Sequence, residues 1–323
     1  MEIGQKVDED VKFNIFKRVN ELLNIDNPIF AYKFIGNHPI SLTNDNIILL
    51  LKNDYMVCEK SDGVRMLCLT IDNKIYFYDR KNDVYEIQYD NLNIGNSIID
   101  GELFYDHKKK LNYGIFDCLV YNNEIITDKP LLKRLYFCEQ FVTSIDLNIN
   151  FYVKSMYKSY GFLEIYNQIK NLNHKNDGLI FTPVNDKYIL YKRGTHLKWK
   201  PPEINTIDFR LKQRKAGLYA LTCTYKNNEI IFDYFETDHN DLDGKIGEFV
   251  FDKEKIVNDI ENDILKIGGW VLYKIREDKN TPNHYRVVNN ILESLDDNLD
   301  MEELSRYYKP MRNNYKIRET LKK

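Results

Sequence analysis

The stretch VCEKSDGVRM, residues Val57–Met66, decides how this chain folds. The apolar runs on either side read as strands. Ser61-Asp62-Gly63 between them reads as hairpin chemistry, because Asp and Gly accept the backbone angles a tight turn demands. Lys60 ends the first strand and Arg65 lies just past the turn. A lysine in such a place is ordinarily a solvated charge. It becomes something else only if distant parts of the chain bring cations and carboxylates to it.

Working outward, strand patterning continues through KIYFYDR after Asp72-Asn73, then SIIDGELFYD and NYGIFDCLVYN. Helical spacing marks VDEDVKFNIFKRVNELL, with acids before its first turn, and GFLEIYNQI. PLLKRLYFCEQFV opens a helix at Pro130. Pro201-Pro202 cannot continue a helix or a central strand, so a boundary falls there. Beyond it lie TIDFRL, LYALTCTY, EIIFDYFET, GEFVFD and GWVLYKIR. Five short strands in about 75 residues fit a small barrel of the OB type. NHYRVVNNILESL and MEELSRYYKPMRNNYKIRETLKK read as charged helices. The expectation is an α+β chain: a first domain over 1–204, a barrel over 205–302, and a helix over 303–323 that can pack back on the first domain.

Composition narrows the function. The 323 residues exceed what one core normally holds. Hydrophobic residues at 43% and charged residues at 29% are ordinary for a folded protein. No apolar run is long enough for a bilayer, and MEIGQKVDED is too polar for a signal peptide, so an intracellular setting is expected. The five cysteines form no C-x-x-C pair and read as reduced, mostly buried thiols. The six histidines lie too far apart for a zinc site. A net charge of −3 argues against gripping long nucleic acid on a sustained basic face, and leaves local contact or recruitment by a partner. The acidic run ESLDDNLDMEEL reads as a solvated face.

A nucleophilic lysine must first lose a proton. At an ordinary pKa of about 10.4, only about one in a thousand is neutral near pH 7. Nearby cations, a metal ion included, raise that fraction. The candidates are Arg65, Lys198 and Lys200 in LKWK, and Arg276 and Lys279 in IREDK. Glu102 in IIDGEL, Asp117 in GIFDCL and Asp177 in NDGLIF sit in strands that look buried, where an acid is costly unless paired or metal-bound. Three such acids suggest a Mg²⁺ or ribose site; capping a turn or pairing with a lysine is the plainer reading of each. Phe116 reads as core, or as a stacking surface beside a nucleotide.

KSDGVR, DGEL, GIFD, DGLIF, LKWKP and IREDK occur in that order and end in the barrel. The set resembles the covalent nucleotidyltransferase superfamily of polynucleotide ligases and mRNA capping guanylyltransferases. The lead-in HPISLTND and the closing WVLYKIREDK are most similar to the stand-alone guanylyltransferases of fungal, protist and large-DNA-virus capping systems. The resemblance runs from Pro39 to about Asn283. It implies an ATP-grasp-like nucleotidyltransferase domain of antiparallel sheets and helices, followed by an OB-fold. It also implies transfer of GMP from GTP, with Mg²⁺ or Mn²⁺, through a lysyl-GMP intermediate to a 5′-diphosphate RNA end. By position, Lys60 is the nucleophile, Arg65 and Glu102 contact the ribose, and Arg80 contacts ribose or phosphates. Phe116 stacks on guanine, Asp177 assists the metal, and Lys198 and Lys200 hold the α-phosphate. Arg276, Asp278 and Lys279 reach the β- and γ-phosphates. Lys154 reads equally as a guanine O6 contact or as a solvated strand lysine, and Asp208 is a candidate of the same standing. The barrel residues must close over the nucleotide and leave before RNA enters, which predicts a hinge near Pro201-Pro202. No signature of a second catalytic unit occurs, so a separate RNA triphosphatase and cap methyltransferase are expected, with the phosphorylated polymerase tail as a docking partner as in the family, no membrane, and a nuclear (or viral-factory) location. Two other readings are an ATP-dependent polynucleotide ligase and a non-catalytic module that holds RNA or the polymerase tail.

Overall fold

The computed structural model describes residues 3–25, 33–89, 94–202, 205–259, 264–297 and 299–321. Residues 203 and 204, where the sequence sets the domain boundary, lie outside them. The chain divides into two compact units, Met1–Trp199 with Ser305–Lys323, and Lys200–Leu304.

The first unit contains two sheets. The larger has eight strands: β1 (Gln5–Lys6), β4 (Val64–Ile71), β5 (Lys74–Asp79), β6 (Val84–Ile87), β7 (Ser97–Tyr105), β8 (Leu111–Tyr121), β9 (Glu124–Ile125) and β10 (Asn150–Val153). Their order is β1-β6-β5-β4-β7-β8-β10, with β9 also on β8. Both faces are covered, so its strands read as near-continuous apolar runs. One face packs Leu67, Leu69, Tyr76 and Ile98 against Ile15, Phe16 and Val19 of helix α1 (Glu9–Leu22). Asp8 starts that helix by accepting the Val11 N–H at 2.8 Å. The other face packs Cys68, Phe77, Ile99 and Ile115 against Leu131, Leu135, Cys138 and Phe141 of helix α3 (Leu131–Thr143), which follows Pro130.

The smaller sheet has β2 (His38–Ser41), β3 (Tyr55–Ser61), β11 (Tyr157–Lys158), β12 (Asn176–Pro183) and β13 (Arg193–Trp199), in the order β11-β3-β12-β13-β2. Helix α2 (Ile48–Lys52) leads into β3, and helix α4 (Phe162–Gln168) into β12.

Asp72-Asn73 makes the expected hairpin between β4 and β5, with φ of 49° and 63°. Asp62-Gly63 does not. β3 belongs to the small sheet and β4 to the large one, so this turn carries the chain from sheet to sheet. Gly63 is needed for closeness: a Cβ there would lie 2.5 Å from the Leu103 carbonyl oxygen. Lys60 and Arg65 therefore end up on different sheets, with only Asp62 and Gly63 between the two strands.

The second unit is a five-stranded antiparallel sheet: β14 (Thr206–Lys215), β15 (Leu218–Tyr225), β16 (Asn228–Glu236), β17 (Ile246–Asp259) and β18 (Ile264–Ile275), in the order β16-β15-β14-β17-β18. Its strands suit an OB-fold; among the described residues no pairing of β16 with β18 closes it into a barrel. Phe209, Phe249 and Trp270 form its core, with Val288 of helix α5 (Tyr285–Asp297). Helix α6 (Met301–Arg306) then leads to helix α7 (Tyr308–Leu321), which returns to the first unit. There Arg318 bonds Asp54 Oδ1 at 2.6 Å and the carbonyls of Leu51 and Asn53 at 2.7 and 3.0 Å. Those carbonyls belong to the end of α2, where a cation complements the helix dipole. All five cysteines are buried free thiols. No helix among the described residues is long and apolar enough to cross a membrane.

Candidate active site

Lys60 is the next-to-last residue of β3. Its Nζ lies 2.6 Å from Asp177 Oδ1. The pairing of β3 with β12 explains how. Asn176 faces Ser61 and Leu179 faces Glu59, so Asp177 and Gly178 together stand opposite Lys60 alone. This is a β-bulge, which re-aims a side chain by adding one residue to one strand. Gly178, at φ 141°, supplies the backbone conformation. One row further along, Cys58, Ile180 and Lys198 face one another across β3, β12 and β13. Lys198 therefore shares a sheet face with Lys60, two residues on from Cys58. Trp199, only 1% exposed, anchors that strand edge-on to Tyr166.

Across the Asp62-Gly63 turn, Arg65 pairs directly with Glu102 on β7. The Arg65 guanidinium is buried and spans a network: Asp100 at 2.6 and 2.9 Å, and the Asn37 carbonyl at 2.6 Å. Tyr188 donates to the same Asp100 carboxylate. Burial disfavours the Arg65 charge, but Asp100 outweighs it and holds the pKa above its ordinary value. Arg65 also lies 5.3 Å from the ring centre of Phe116. A second bulge presents that ring. Asp100 faces Asp117 and Gly101 faces Ile115, which leaves Phe116 as the extra residue of β8.

Glu102 gathers the charges. Burial raises its pKa, while Lys154, Lys60, Arg65 and Arg80 all act to lower it. Four cations thus surround one half-buried carboxylate. Arg80, exposed in the turn after β5, feels desolvation first, then the like charge of Arg65 and the opposite charge of Glu102. Lys154, just past β10, is not the solvated lysine of the plainer reading. It is buried, and its Nζ donates to Ser61 Oγ at 2.7 Å and pairs with Glu59 at 3.1 Å. Burial pushes the Glu59 carboxyl up, but Lys154 and His174 beside it hold it at about 2.

Asp117 departs from its expectation as a metal or ribose ligand. It is 1% exposed and is bound by Arg134 of α3 at 2.6 and 3.0 Å, so it serves the core. No group of three or more metal-ligating side chains occurs among the described residues. The donor set still fits a Mg²⁺-type ion, which commonly takes one or two carboxylates and completes its shell with water and substrate phosphates. Asp177 is the carboxylate placed to serve.

In the second unit, Asp208 and Glu248 face each other on β14 and β17. Arg276, just past β18, reaches Asp208 at 3.2 Å, Glu248 at 3.4 Å and Asp278 at 2.7 Å. Lys274 pairs with Glu248 at 3.2 Å, and Lys279 with Asp208. The Arg276 hydrogen bond holds Asp278 at about 2. Lys200 opens this unit.

The residues missed from sequence are Glu59, Ser61, His174, Asn37, Asp100 and Tyr188. A signal existed for the first two. Val57, Glu59 and Ser61 alternate onto one face of β3, so an acid on a buried face required a partner.

The family described as mRNA capping enzyme, catalytic domain, matches residues 3–202, and the one described as mRNA capping enzyme, C-terminal domain, matches residues 204–305. The mRNA-capping enzyme subunit alpha of Schizosaccharomyces pombe is 30% identical over 84% of this chain and 79% of its own length. That of Saccharomyces cerevisiae is 27% identical over 92% and 82%. The mRNA-capping enzyme of Caenorhabditis elegans is 27% identical over 81% of this chain and 46% of its own length. Among solved structures, a mycobacterial DNA ligase D complexed with ATP and MES aligns at 12% identity over 77% of this chain and 96% of that one, with a TM-score of 0.45. The chain belongs to the mRNA capping enzyme family and is a nucleotidyltransferase of mRNA capping.

Proposed function

We propose that the chain transfers GMP from GTP to a 5′-diphosphate RNA end through Lys60. The observation that carries this reading is one lysine, paired to a carboxylate on a bulge and standing with three other cations around Glu102. In the first step the Lys60 amine attacks the α-phosphorus. The N–P bond forms, the bond to the bridging oxygen breaks, pyrophosphate leaves with its electron pair, and the nitrogen gives up one N–H proton to solvent. In the second step a terminal β-phosphate oxygen of the RNA attacks that phosphorus. The N–P bond breaks and Lys60 regains its proton.

Asp177 has two uses in this scheme. Paired with Lys60 it keeps the ammonium in place. Turned toward the nucleotide it would hold a divalent ion, Mg²⁺ or Mn²⁺, that neutralises phosphate charge when bound. Lys60 is then released from that ion pair and free to meet the α-phosphorus. Lys198 and Lys200 hold the α-phosphate, Glu102, Arg65 and Arg80 position ribose and phosphates, and Phe116 stacks on the base. Lys154 and Ser61 are donors suited to a purine carbonyl oxygen. Arg276, Asp278 and Lys279 orient the leaving pyrophosphate, with Pro201-Pro202 as the hinge. Positioning and charge neutralisation are most of what phosphoryl transfer needs. A separate triphosphatase supplies the diphosphate end and a methyltransferase finishes the cap. Docking to a phosphorylated polymerase tail would place the enzyme in the nucleus.

The test is covalent labelling. Protein incubated with α-labelled GTP and Mg²⁺ should carry label that survives denaturation, and Lys60→Ala should carry none. Label from ATP instead would make the chain a ligase. No label from either nucleotide would leave it a binding module.

A further inference from the structure

A run of exposed cations next to the Lys60 turn has no role in the scheme above. β7 and β8 are joined through Asp106, His107, Lys108, Lys109 and Lys110, and the last four side chains are all exposed. The tip is prefolded. Asp106 Oδ1 accepts the backbone N–H groups of Lys108 and Lys110 at 2.9 and 2.8 Å, and Lys109 takes a left-handed φ of 60°. It is also tied toward the nucleophile. The His107 N–H donates to the Asn173 carbonyl at 2.7 Å, and the Asp62 N–H donates to the Lys175 carbonyl at 2.9 Å. Phe104 holds the intervening His174 with ring centres 4.3 Å apart. Lys175 is exposed, and Tyr105 is 43% exposed at the foot of the tip.

We propose that this tip is the path of the acceptor RNA, with Lys108, Lys109, Lys110 and Lys175 on successive phosphates behind the reacting 5′ end and Tyr105 stacking on a base. The inference rests on the reading of Lys60 as the guanylylated residue. A chain of net charge −3 can hold single-stranded RNA only through a local cluster, and this one shares a backbone frame with the turn next to Lys60. Aromatic surfaces beside lysines are how single strands are held without reading sequence. A phosphorylated tail peptide would gain nothing from standing beside the reacting lysine, so RNA is the occupant the placement favours.

The test uses the full chain with Lys108→Gln, Lys109→Gln and Lys110→Gln combined, and a charge-matched control with Lys212→Gln, Arg214→Gln and Lys215→Gln in the second unit. Binding of a 5′-diphosphate RNA of about 20 nucleotides is followed by fluorescence anisotropy from about 50 to 200 mM salt, the range over which phosphate contacts weaken steeply. Each single-strand phosphate contact contributes about 0.7 to the slope of log K against log salt, so the tip variant should lose about 2 from that slope. At the lowest salt its Kd should rise about tenfold or more, and the control should stay near wild type. GMP transfer from isolated enzyme-GMP to this RNA should weaken, while transfer to a diphosphate-ended dinucleotide should not. An unchanged slope, an equal loss in the control, or a tip that binds phosphorylated tail peptide in place of RNA overturns the proposal. If the wild type forms no lysyl-GMP, the reading of Lys60 falls, and anisotropy still decides whether the tip holds RNA.

Discussion

Glu59 and Lys60 are neighbours that face opposite sides of β3, and each ends in an ion pair with a residue far along the chain. Lys60 was legible because KSDG announces it. Glu59 was not, since nothing in the sequence says that Lys154 arrives to meet it. Removing one partner of a buried pair leaves the other uncompensated, which costs about 3–5 kcal/mol. Lys154→Met should therefore lower the urea midpoint markedly, and adding Glu59→Gln should restore much of the loss. His196 is a second buried group with a measurable signature. Burial, then the charges of Arg65 and Arg134, hold its pKa at about 3. Once unfolded it takes a proton below about 6.5, so acid favours the unfolded chain. Its share of stability is present above pH 6.5 and is lost as pH falls toward 3, by up to about 1.4 kcal/mol per pH unit. His196→Asn should flatten the fall between pH 6.5 and 4.5. Below about 4.5 Glu59 adds its own loss, because its carboxylate is held at about 2 in the folded chain and takes up a proton once the chain unfolds.

At the scale of elements, strands and helices were readable from periodicity: α1, α3 and the first three strands of the second unit stand where the pattern set them, while β17 and β18 run well beyond the short strands expected. The register was not readable. Alternation shows which face a side chain takes but not which strand lies opposite, and both bulges, at Asp177 and at Phe116, exist only in the pairing. The Asp62-Gly63 turn was misread for a related reason. The residues that close a hairpin also suit a sharp step between two sheets, and only the β3–β12 and β4–β7 ladders distinguish the two. Gly178→Ala tests the first bulge. Its φ of 141° is strained for any residue with a Cβ, at a cost of about 1–3 kcal/mol. Lysyl-GMP formation should fall further than that loss of folded protein accounts for, as measured by labelling beside a thermal melt. An unchanged yield would mean that Asp177 does not depend on the bulge.

At the scale of the molecule, the residues proposed to serve the nucleotide are found in both units. Lys60, Arg65, Arg80, Glu102, Phe116, Lys154, Asp177 and Lys198 lie in the first, and Lys200, Arg276, Asp278 and Lys279 lie in the second. If the second unit serves the leaving pyrophosphate as proposed, it is needed for only one of the two steps. Arg276→Ala should cut lysyl-GMP formation by about a hundredfold or more, the scale of one lost transition-state contact. Transfer from preformed enzyme-GMP should change only a few-fold. The second unit should stay folded, since Lys274 and Lys279 still serve Glu248 and Asp208. Equal loss in both steps would remove Arg276 from the leaving-group role.

The return of α7 to the first unit sets an order of manufacture. A chain is made from its N-terminus, and domains generally fold as they emerge. The second unit is therefore complete before Arg318 has been synthesised, and the catalytic unit waits for it with the end of α2 and Asp54 lacking their clasp. The domain begun first is finished last. A reading frame cut short before Tyr308 would release an intact second unit joined to a first unit without its clasp, so late truncations should harm the part of the protein most distant from them in sequence.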